Sequence, residues 1–276
     1  MPRFSLVVAT FGRTDDLGKL LLSIAGQRRG DIEIILVDQN QDSRIDNLLQ
    51  GLRSPVSVLH LRTEVRDVSR ARNLGLDAAS GQIIAFPDDD CWYPAGLLDE
   101  IDQCFQTHPQ YSIFATGALD DDGIPSGNRW IQDACDITPF NSLRTTFCSS
   151  LFISAVEQSR IVRFDERLNR GEETDFVLRL LATGLRGRFD RRLHIHHPRR
   201  DMLSGTVSRE RAFSYGAGMG RLVRRHSLFV LWVLLLIYDL ARAVLVTLKG
   251  RLRDAGFCFA HAQGLTRGFV LPNAQD

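Results

Sequence analysis

The part of this chain best suited to chemistry is Phe86-Pro87-Asp88-Asp89-Asp90, where an apolar run ends in three carboxylates. Side chains alternate between the two faces of a strand, so Asp88 and Asp90 are expected to point the same way. Two such carboxylates can share a hard divalent cation, which prefers oxygen ligands, and can hold it against a diphosphate. A solvated acidic turn has the same composition, because exposed carboxylates are ordinary, so the surrounding elements must decide between the two.

A unit of strand, loop and helix repeats ahead of these acids. Apolar runs at residues 4–9, 32–37 and 56–61 are predicted strands, and the segments 15–27, 45–52 and 68–79 are predicted helices. The strands are continuously apolar rather than alternating, which indicates a sheet covered on both faces. The sequence therefore predicts an α/β fold with a mainly parallel sheet wound both ways.

The polar residues lie where these strands end. Thr10, Asp38 and Asp88 each follow or close an apolar run. In open sheets of this kind, ligands bind beyond the carboxyl ends of the strands. Residues 10–13 and Asp38 could therefore receive a nucleotide base and ribose, while Asp88 and Asp90 could receive a metal-bridged diphosphate.

Five motifs, in this order and spacing, resemble those of the family 2 inverting glycosyltransferases. They are Ser5-Leu-Val-Val-Ala-Thr-Phe-Gly-Arg13, Val37-Asp38-Gln39, Ser69-Arg-Ala-Arg-Asn-Leu-Gly75 with Ala79 and Gly81, Phe86 to Asp90 with Pro94, and Gly171-Glu-Glu-Thr-Asp-Phe176. The resemblance covers roughly residues 4 to 200. It implies the GT-A nucleotide-diphospho-sugar transferase fold and a nucleotide-diphospho-sugar donor.

The resemblance also implies a donor site. Asp38 matches the carboxylate that contacts the nucleotide base, and Thr10, Phe11 and Arg13 match the wall of that pocket. A turn-forming role is the alternative for Asp38, because aspartate is common at such positions.

Two further donor-site residues and the metal ligands follow from the same resemblance. Arg72 and Asn73 match a segment that opens a helix beneath the nucleotide. Arg72 could bind phosphate directly or could only pair with the acidic cluster. Asp88 and Asp90 match the D-x-D motif, with Asp90 the more direct metal ligand and Asp88 shared between ribose and metal. Asp89, on the other face, is expected to be structural.

A histidine cluster follows on a predicted strand near residue 195. In enzymes that this chain resembles, a histidine near this point often completes the metal or diphosphate site. His196 or His197 is therefore a candidate, and His196 is taken as the metal ligand. Simple packing of these rings is the alternative. The expected cofactor is Mg²⁺ or Mn²⁺.

The second acidic motif, Glu172-Glu173-Thr174-Asp175, could supply a catalytic base. Inversion at an anomeric carbon needs a group that removes the proton of the acceptor hydroxyl while the metal takes up charge on the departing diphosphate. Glu173 occupies the position where the family usually has the Asp of a Glu-Asp pair, and we assign it as the base. Glu is longer by one methylene, so Asp175 is kept as the alternative. Acids that only complement a helix dipole would give the same pattern.

Composition excludes several classes of protein. The 276 residues, 44% hydrophobic and 24% charged, suffice for one large α/β domain with an appendage and exclude a disordered or fibrous chain. The net charge is only +1, but arginines crowd residues 186–225, which suggests anionic partners. Five scattered cysteines without C-x-x-C spacing argue against a disulfide framework or a zinc site. No signal peptide precedes the first strand, so the cytoplasmic face of the membrane is the expected location.

The C-terminal part carries a hydrophobic segment between two basic ones. Glycines at 216, 218 and 220 are interpreted as a break before it. The uninterrupted run 228–238 is shorter than the roughly 20 residues that span a membrane, although 241–248 extends it past Asp239 and Arg242, which could pair. A monotopic or re-entrant helix, a true span and a buried soluble helix are all possible. Basic residues on both sides favour a helix that lies in the membrane surface.

These observations predict a domain plan and a function. Residues 1–205 form the catalytic domain, with a nucleotide-sugar half at 1–118 and an acceptor and catalytic half at 119–205, and residues 206–276 form a membrane-associating extension. The expected enzyme is a metal-dependent inverting glycosyltransferase, hexosyltransferase-like, that moves a sugar to a hydroxyl of a glycan or lipid-linked acceptor in surface polysaccharide or glycolipid synthesis. A membrane surface is an expected partner, and nucleic acid is not.

Two other classes remain open at this stage. A nucleotidyltransferase acting on sugar phosphates would be expected to carry a glycine-rich basic loop after the first strand, whereas residues 10–14 contain one glycine. A non-catalytic membrane scaffold with a degenerate transferase fold would be expected to lose the acids, whereas both acidic motifs persist.

Overall fold

The computed structural model describes residues 1–52, 56–126, 133–155, 161–168, 170–198 and 209–271. The chain divides into two compact units. The first unit comprises Met1–Glu166 and Phe176–Arg199, and the C-terminal unit comprises Arg167–Asp175 and Arg200–Asp276. The short segment Arg167–Asp175, which carries the second acidic motif, therefore groups with the C-terminal helices.

One sheet forms the centre of the first unit. Its strands are β1 (Phe4–Thr10), β2 (Ile32–Asp38), β3 (Ser57–Arg62), β4 (Ile83–Ala85), β5 (Ile113–Leu119), β6 (Cys135–Ile137), β7 (Leu151–Ser154) and β8 (Gly187–His196). They lie in the order β3-β2-β1-β4-β7-β5-β8-β6. The first four strands pair in parallel, β7 runs antiparallel to both β4 and β5, β8 is parallel to β5, and β6 is antiparallel to β8. The mostly parallel α/β sheet predicted from the sequence is confirmed.

Helices lie between the strands along the chain. They are α1 (Asp15–Ala25), α2 (Arg44–Gly51), α3 (Val68–Ala78), α4 (Leu97–Thr107), the single turn α5 (Ser142–Thr145) and α6 (Glu172–Ala182), with a 3₁₀ turn at Cys148–Ser150. The predicted strands and helices of the first 80 residues agree with these bounds to within two residues. Gly184 adopts a left-handed φ of +91° just past the end of α6.

Apolar residues of most strands divide between two cores, one on each face of the sheet. In β1, Phe4, Leu6 and Val8 belong to one cluster, and Val7 belongs to the other. Burying side chains of this size contributes about 1.5–3 kcal/mol each. This two-sided burial is the reason why the strands read as continuous rather than alternating apolar runs.

Glycine lets α3 approach the sheet closely. A Cβ at Gly75 would lie 2.2 Å from Cγ1 of Val7, a distance that no packed side chain tolerates. Asp67 begins the helix by accepting a hydrogen bond from the backbone N–H of Arg70 at 2.7 Å. The capped helix and its close packing hold Arg72, which is buried, at a fixed position against the sheet.

Residues 209–271 of the C-terminal unit form the helices α7 (Arg209–Arg225), α8 (Phe229–Leu248) and α9 (Leu252–Val270). A Cβ at Gly216 would lie 2.1 Å from the carbonyl oxygen of His261, and one at Gly264 would lie 2.1 Å from that of Phe213. The backbones of α7 and α9 therefore touch through glycines. The interpretation of this glycine run as a break was wrong, because close helix packing outweighs the low helix propensity of glycine.

The hydrophobic segment of the sequence forms α8. This helix has 20 residues. A stretch of 18 of them has a mean hydropathy of 2.2, and only 17% of that stretch is buried. It is long and apolar enough to cross a membrane by length and composition alone. The partner of Asp239 is not the predicted Arg242 but His261 of α9, whose Nδ1 lies 2.6 Å from the carboxylate.

Candidate active site

Two of the predicted acids meet one histidine at the carboxyl end of β4. Nε2 of His197 lies 3.3 Å from Oδ1 of Asp90 and 3.7 Å from Oδ2 of Asp88. One ligand atom from each of the three residues lies within 4.8 Å of the others. Asp90 and His197 are buried, and Asp88 is partly exposed. The group can hold one metal ion with an opening on the side of Asp88.

The surroundings of His197 orient its ring for this purpose. The backbone N–H of His197 donates to the carbonyl of Leu119 at 2.8 Å, which fixes the residue at the end of β8. Nδ1 of the ring lies 2.9 Å from the carbonyl oxygen of Pro198, so this nitrogen must carry the proton. In the neutral ring, Nε2 then presents a lone pair to the two carboxylates. Within the part of the chain that the structure describes, this buried Nε2 forms no hydrogen bond. A cation between the three residues would satisfy all of them.

His196, the histidine assigned as a ligand from the sequence, lies elsewhere. Its ring stacks on Trp92, with centroids 5.2 Å apart, and the two residues exchange backbone hydrogen bonds of 2.8 and 2.9 Å. Burial, and then the neighbouring His194, lower the pKa of His196. Adjacent residues in extended chain point to opposite sides, so only one of the two histidines can face the acids. The assignment of His196 is corrected to His197.

Asp89 turns away from this group, but it lies in a turn after β4 and not on the predicted extended strand. Its carboxylate accepts hydrogen bonds from Oγ1 of Thr10 at 2.9 Å and from the backbone N–H of Phe11 at 3.3 Å, and it pairs with Arg13. Burial raises the pKa of Asp89, and the Arg13 guanidinium opposes that shift. Asp89 thus ties the loop after β1 to the loop after β4.

Two arginines flank the metal-site carboxylates. Nη2 of Arg13 lies 3.0 Å from Oδ2 of Asp90, and Nη2 of Arg72 lies 3.0 Å from Oδ1 of Asp88. Both guanidiniums were predicted for the donor site, and the structure brings both to the acids. They balance the carboxylate charge and remain positioned to receive an anionic ligand.

Asp38 is buried at the end of β2 and held from both sides. Its Oδ1 accepts hydrogen bonds from the backbone N–H and the side-chain amide of Asn40 at 2.8 and 2.7 Å. Its Oδ2 lies 3.2 Å from Nε2 of His60 in β3. The loop after β1 reaches the same strand end, because the N–H of Gly12 donates to Oδ1 of Asn40 at 2.8 Å. In that loop Phe11 is 39% exposed, and the guanidinium carbon of Arg66 lies 3.7 Å from the centroid of its ring. These two loops thus offer a buried acid and a partly exposed aromatic residue, which are groups suited to polar and stacking contacts with a base.

Asn73 has a different environment from the other predicted donor-site residues. Its side-chain N–H₂ donates to the carbonyl of Phe164 and to Oε1 of Glu166, both at 2.9 Å, and its Oδ1 accepts from the backbone N–H of Phe164 at 2.8 Å. Both ends of the carboxamide are therefore occupied in holding the segment around Phe164.

The second acidic motif belongs to the C-terminal unit. Glu172 and Glu173 are partly buried in the first turn of α6. Asp175 is fully buried, and its Oδ1 lies 2.9 Å from Nε2 of His226 and 3.3 Å from Nε of Arg225. The residue proposed as the base is thus more accessible than its alternative.

Sequence reasoning missed several residues that hold the site in place. His60 and Asn40 beside Asp38 carry no motif, and neither does His226, which lies 51 residues from Asp175. For His197, the adjacent histidine pair was a usable signal, but the choice between the two required the geometry of β8.

Comparison with known proteins agrees with this geometry. Residues 5–135 match the sequence profile of Glycosyl transferase family 2. The chain is 27% identical over 186 residues to GalNAc(5)-diNAcBac-PP-undecaprenol beta-1,3-glucosyltransferase of Campylobacter jejuni, covering 64% of this chain and 59% of that protein. It is 25% identical over 236 residues to the succinoglycan biosynthesis protein ExoM of Rhizobium meliloti, covering 80% and 76%.

Solved structures share the fold at lower identity. Mannosyltransferase PcManGT from Pyrobaculum calidifontis, in complex with GDP-Man and Mn²⁺, superposes with a TM-score of 0.68 at 15% identity, covering 98% of this chain and 87% of that one. TarS of S. aureus superposes with a TM-score of 0.63 at 16% identity, covering 82% and 42%.

The mixed sheet with acids at its strand ends and these structural neighbours define the GT-A fold. Residues 5–135 carry the glycosyl transferase family 2 profile, and curated relatives named as glycosyltransferases match the chain beyond that range, which supports a family 2 glycosyltransferase. This decides against the nucleotidyltransferase and the non-catalytic scaffold that the sequence had left open. The chain spans 59% of the length of the Campylobacter relative.

Proposed function

We propose that the protein is a metal-dependent, inverting glycosyltransferase that moves a sugar from a nucleotide diphosphate to a hydroxyl acceptor. The observation that carries this proposal is the meeting of Asp88, Asp90 and His197 at the strand ends. Two structural neighbours support it, because TarS has been solved with UDP-GlcNAc and PcManGT with GDP-Man and Mn²⁺.

The donor is proposed to lie across the ends of β1, β2 and β4. Asp38, held by His60 and Asn40, contacts the base, and Phe11 contributes an exposed ring beside it. Arg13 and Arg72, which pair with Asp90 and Asp88, face the diphosphate. When the donor binds, each guanidinium gives up part of its contact with the acid and contacts the diphosphate oxygens. Guanidiniums suit this task because their planar fork matches phosphate oxygens.

Asp88, Asp90 and His197 fit a resident Mg²⁺ or Mn²⁺ ion, since carboxylate oxygens with one imidazole suit such a cation. The metal, when bound, offsets the negative charge that develops on the departing diphosphate. Glu173 accepts the proton of the acceptor hydroxyl as that oxygen bonds to the anomeric carbon and the bond from this carbon to the diphosphate oxygen breaks. A single displacement inverts the configuration.

The acceptor is proposed to be a glycan or a lipid-linked glycan delivered at a membrane, as part of surface polysaccharide or glycolipid synthesis. The names of two relatives refer to a PP-undecaprenol substrate and to succinoglycan biosynthesis. In this chain, Val230, Leu234 and Ile237 of α8 each expose more than half of their surface. These observations support attachment to a membrane through α8, peripherally or as a monotopic protein, and we propose the cytoplasmic face as its location.

Release of nucleoside diphosphate tests the proposed reaction. The full chain is incubated with Mn²⁺ and each of a panel of sugar nucleotides that includes UDP-GlcNAc, UDP-glucose and GDP-mannose. We expect one or a few donors to give release above the spontaneous rate, and the configuration of the released or transferred sugar, read by NMR, to be inverted. Retained configuration would contradict the single displacement.

Activity is expected to require the metal. Excess EDTA should lower nucleoside diphosphate release by about a hundredfold or more, because neutralising the leaving diphosphate is worth several kcal/mol of barrier. Adding Mn²⁺ or Mg²⁺ beyond the chelator should restore the rate, which controls for damage to the protein. Undiminished turnover in excess EDTA would refute the metal requirement.

We expect the protein to bind membranes through α8. The full chain should sediment with vesicles that contain anionic lipid, because apolar burial contributes about 25 cal/mol per Å² and nearby arginines add about 1 kcal/mol each. A Leu234→Glu, Ile237→Glu double variant should bind about tenfold or more weakly, since both exposed side chains lie three residues apart on one face. The matched control is Leu22→Glu on α1, where the leucine is 59% exposed. Equal sedimentation of all three proteins would show that α8 does not contact lipid.

A further inference from the structure

One face of α7 is built against the segment that opens α6. Tyr215, Gly218, Leu222 and Arg225 follow one another at spacings of three and four residues, and therefore lie on a single face of the helix. His226 comes directly after the last residue of α7 and donates its backbone N–H to the carbonyl of Leu222 at 3.1 Å. The opposing glycines, such as Gly216, pack on α9 instead.

This face contacts the segment at three successive points. The guanidinium of Arg170 lies over the ring of Tyr215, 4.2 Å from its centroid, and donates to the Tyr215 hydroxyl at 3.2 Å. Gly171 has a left-handed φ of +78° beside Leu222. Asp175 is fixed by His226 at 2.9 Å and by Arg225 at 3.3 Å. The contacts thus bracket Glu172 and Glu173.

Fixing Asp175 also fixes the direction of Glu173. Successive residues of an α-helix are rotated by about 100°, so two residues separated by two positions point to nearly opposite sides. With Asp175 buried against the end of α7, Glu173 is directed away from α7. If the first turn of α6 rotated, the buried carboxylate of Asp175 would lose its contacts with His226 and Arg225. The free-energy cost of leaving that carboxylate without these partners opposes the rotation.

We infer that His226 and Arg225 are positioning residues for the base, and that they act through Asp175. This inference rests on the proposed role of Glu173. It gives the C-terminal unit a second task beyond the proposed membrane attachment, because the helix that precedes α8 also sets the orientation of the catalytic base. Asp175 then serves as the anchor of the turn.

The test compares three substitutions of His226 in the full chain. His226→Leu removes the donor, His226→Asn shortens it, and His226→Gln places an amide N–H near the position of Nε2. We expect His226→Leu to lower kcat by about 10- to 100-fold, since a displacement of about 1 Å in a catalytic group costs up to about 10² in rate. The value of kcat should recover in the order Leu, Asn, Gln. The donor KM, and the affinities for UDP and GDP measured by calorimetry with Mn²⁺, should change by less than about threefold.

His261→Leu is the matched control. It breaks another buried histidine–aspartate pair in the same unit, that of His261 with Asp239, between α8 and α9. It should lower the melting temperature about as much as His226→Leu does while leaving kcat nearly unchanged. If both variants lower kcat equally, the effect of His226 is general destabilisation and the inference is overturned.

A double variant separates this inference from the proposed function. If His226 acts by placing Glu173, adding His226→Leu to Glu173→Gln should lower kcat little further, because the group that it positions is already lost. Multiplication of the two losses would overturn the inference. If Glu173→Gln is inactive but His226→Leu keeps wild-type kcat, only the inference fails. If Glu173→Gln itself keeps wild-type kcat, the proposed base fails and the inference fails with it.

Discussion

Asp90→Asn is expected to abolish donor binding and turnover together, with kcat/KM reduced by about a thousandfold or more. Asp90 is buried and lies 3.3 Å from Nε2 of His197, so its carboxylate supplies charge at the centre of the metal site. An amide is a weaker and neutral ligand for a hard cation. Loss of the metal forfeits several kcal/mol of transition-state stabilisation, and each 1.36 kcal/mol is a factor of ten in rate. Binding of Mn²⁺ with UDP, followed by calorimetry, and nucleoside diphosphate release measure the two losses.

Asp89→Asn is the matched control, because it makes the same change at the neighbouring residue. Asp89 contacts Thr10, Phe11 and Arg13 rather than the metal site, so this variant should lower the melting temperature while retaining Mn²⁺ binding. Equal loss of Mn²⁺ binding in both variants would mean that the assignment of the two faces is wrong.

The two histidines provide a second comparison at the same site. His197→Ala should weaken Mn²⁺ binding by about ten- to a hundredfold, whereas His196→Ala should leave it nearly unchanged and lower stability through the lost stacking on Trp92. The reverse outcome would restore His196 as the ligand.

Much of the first unit could be predicted because its local signals agree with one another. The strands that end at Thr10 and Asp38 are short, apolar and followed by helices with clear periodicity, and they pair in register over their whole length. Asp88 and Asp90 follow such a strand, and a local turn, in which the N–H of Cys91 donates to the carbonyl of Asp88 at 3.1 Å, sets their orientation in place of the predicted extended chain. These features depend on neighbours in sequence, which a sequence displays.

The choice between His196 and His197 depended on an irregularity that a sequence does not display. The pairing of β5 with β8 shifts between Thr116 and Gly117, where Thr116 lies opposite Asp190 and Gly117 lies opposite His194. Counting alternate faces along β8 therefore fails at this bulge, since the extra residues change which side chains share a face.

In the C-terminal unit, tertiary packing outweighed local propensity. Gly216 and Gly220 suggested a break, but they lie inside α7, where the absence of a Cβ admits the backbone of α9. The partner of Asp175 is likewise a residue distant in sequence, His226, and no local pattern identifies it. The anchoring of the acidic turn became visible only with the helix packing.

The base carries the other large expected effect. Glu173→Gln should lower kcat by about 10²–10⁴, the usual contribution of general base catalysis, while the affinities for UDP and GDP remain within about threefold of wild type. The reason is that the acceptor proton is transferred only on the way to the transition state, so the ground-state complex does not need the carboxylate. Glu173 is partly buried in the first turn of α6, and its replacement by an isosteric amide should leave the fold intact. Single-turnover rates and calorimetry separate the two quantities.

Asp175→Asn decides between the two candidate bases. Asp175 is fully buried and paired with His226 and Arg225, so its neutral amide should chiefly lower the melting temperature, with a loss of kcat well below that of Glu173→Gln. Glu173→Asp, which introduces the residue that the family resemblance gives as usual at this position, should have a higher kcat than Glu173→Gln. It keeps a carboxylate, although one methylene closer to the backbone. If instead Glu173→Gln keeps nearly wild-type kcat and Asp175→Asn does not, the base is Asp175. His226 and Arg225 would then contact the catalytic base directly.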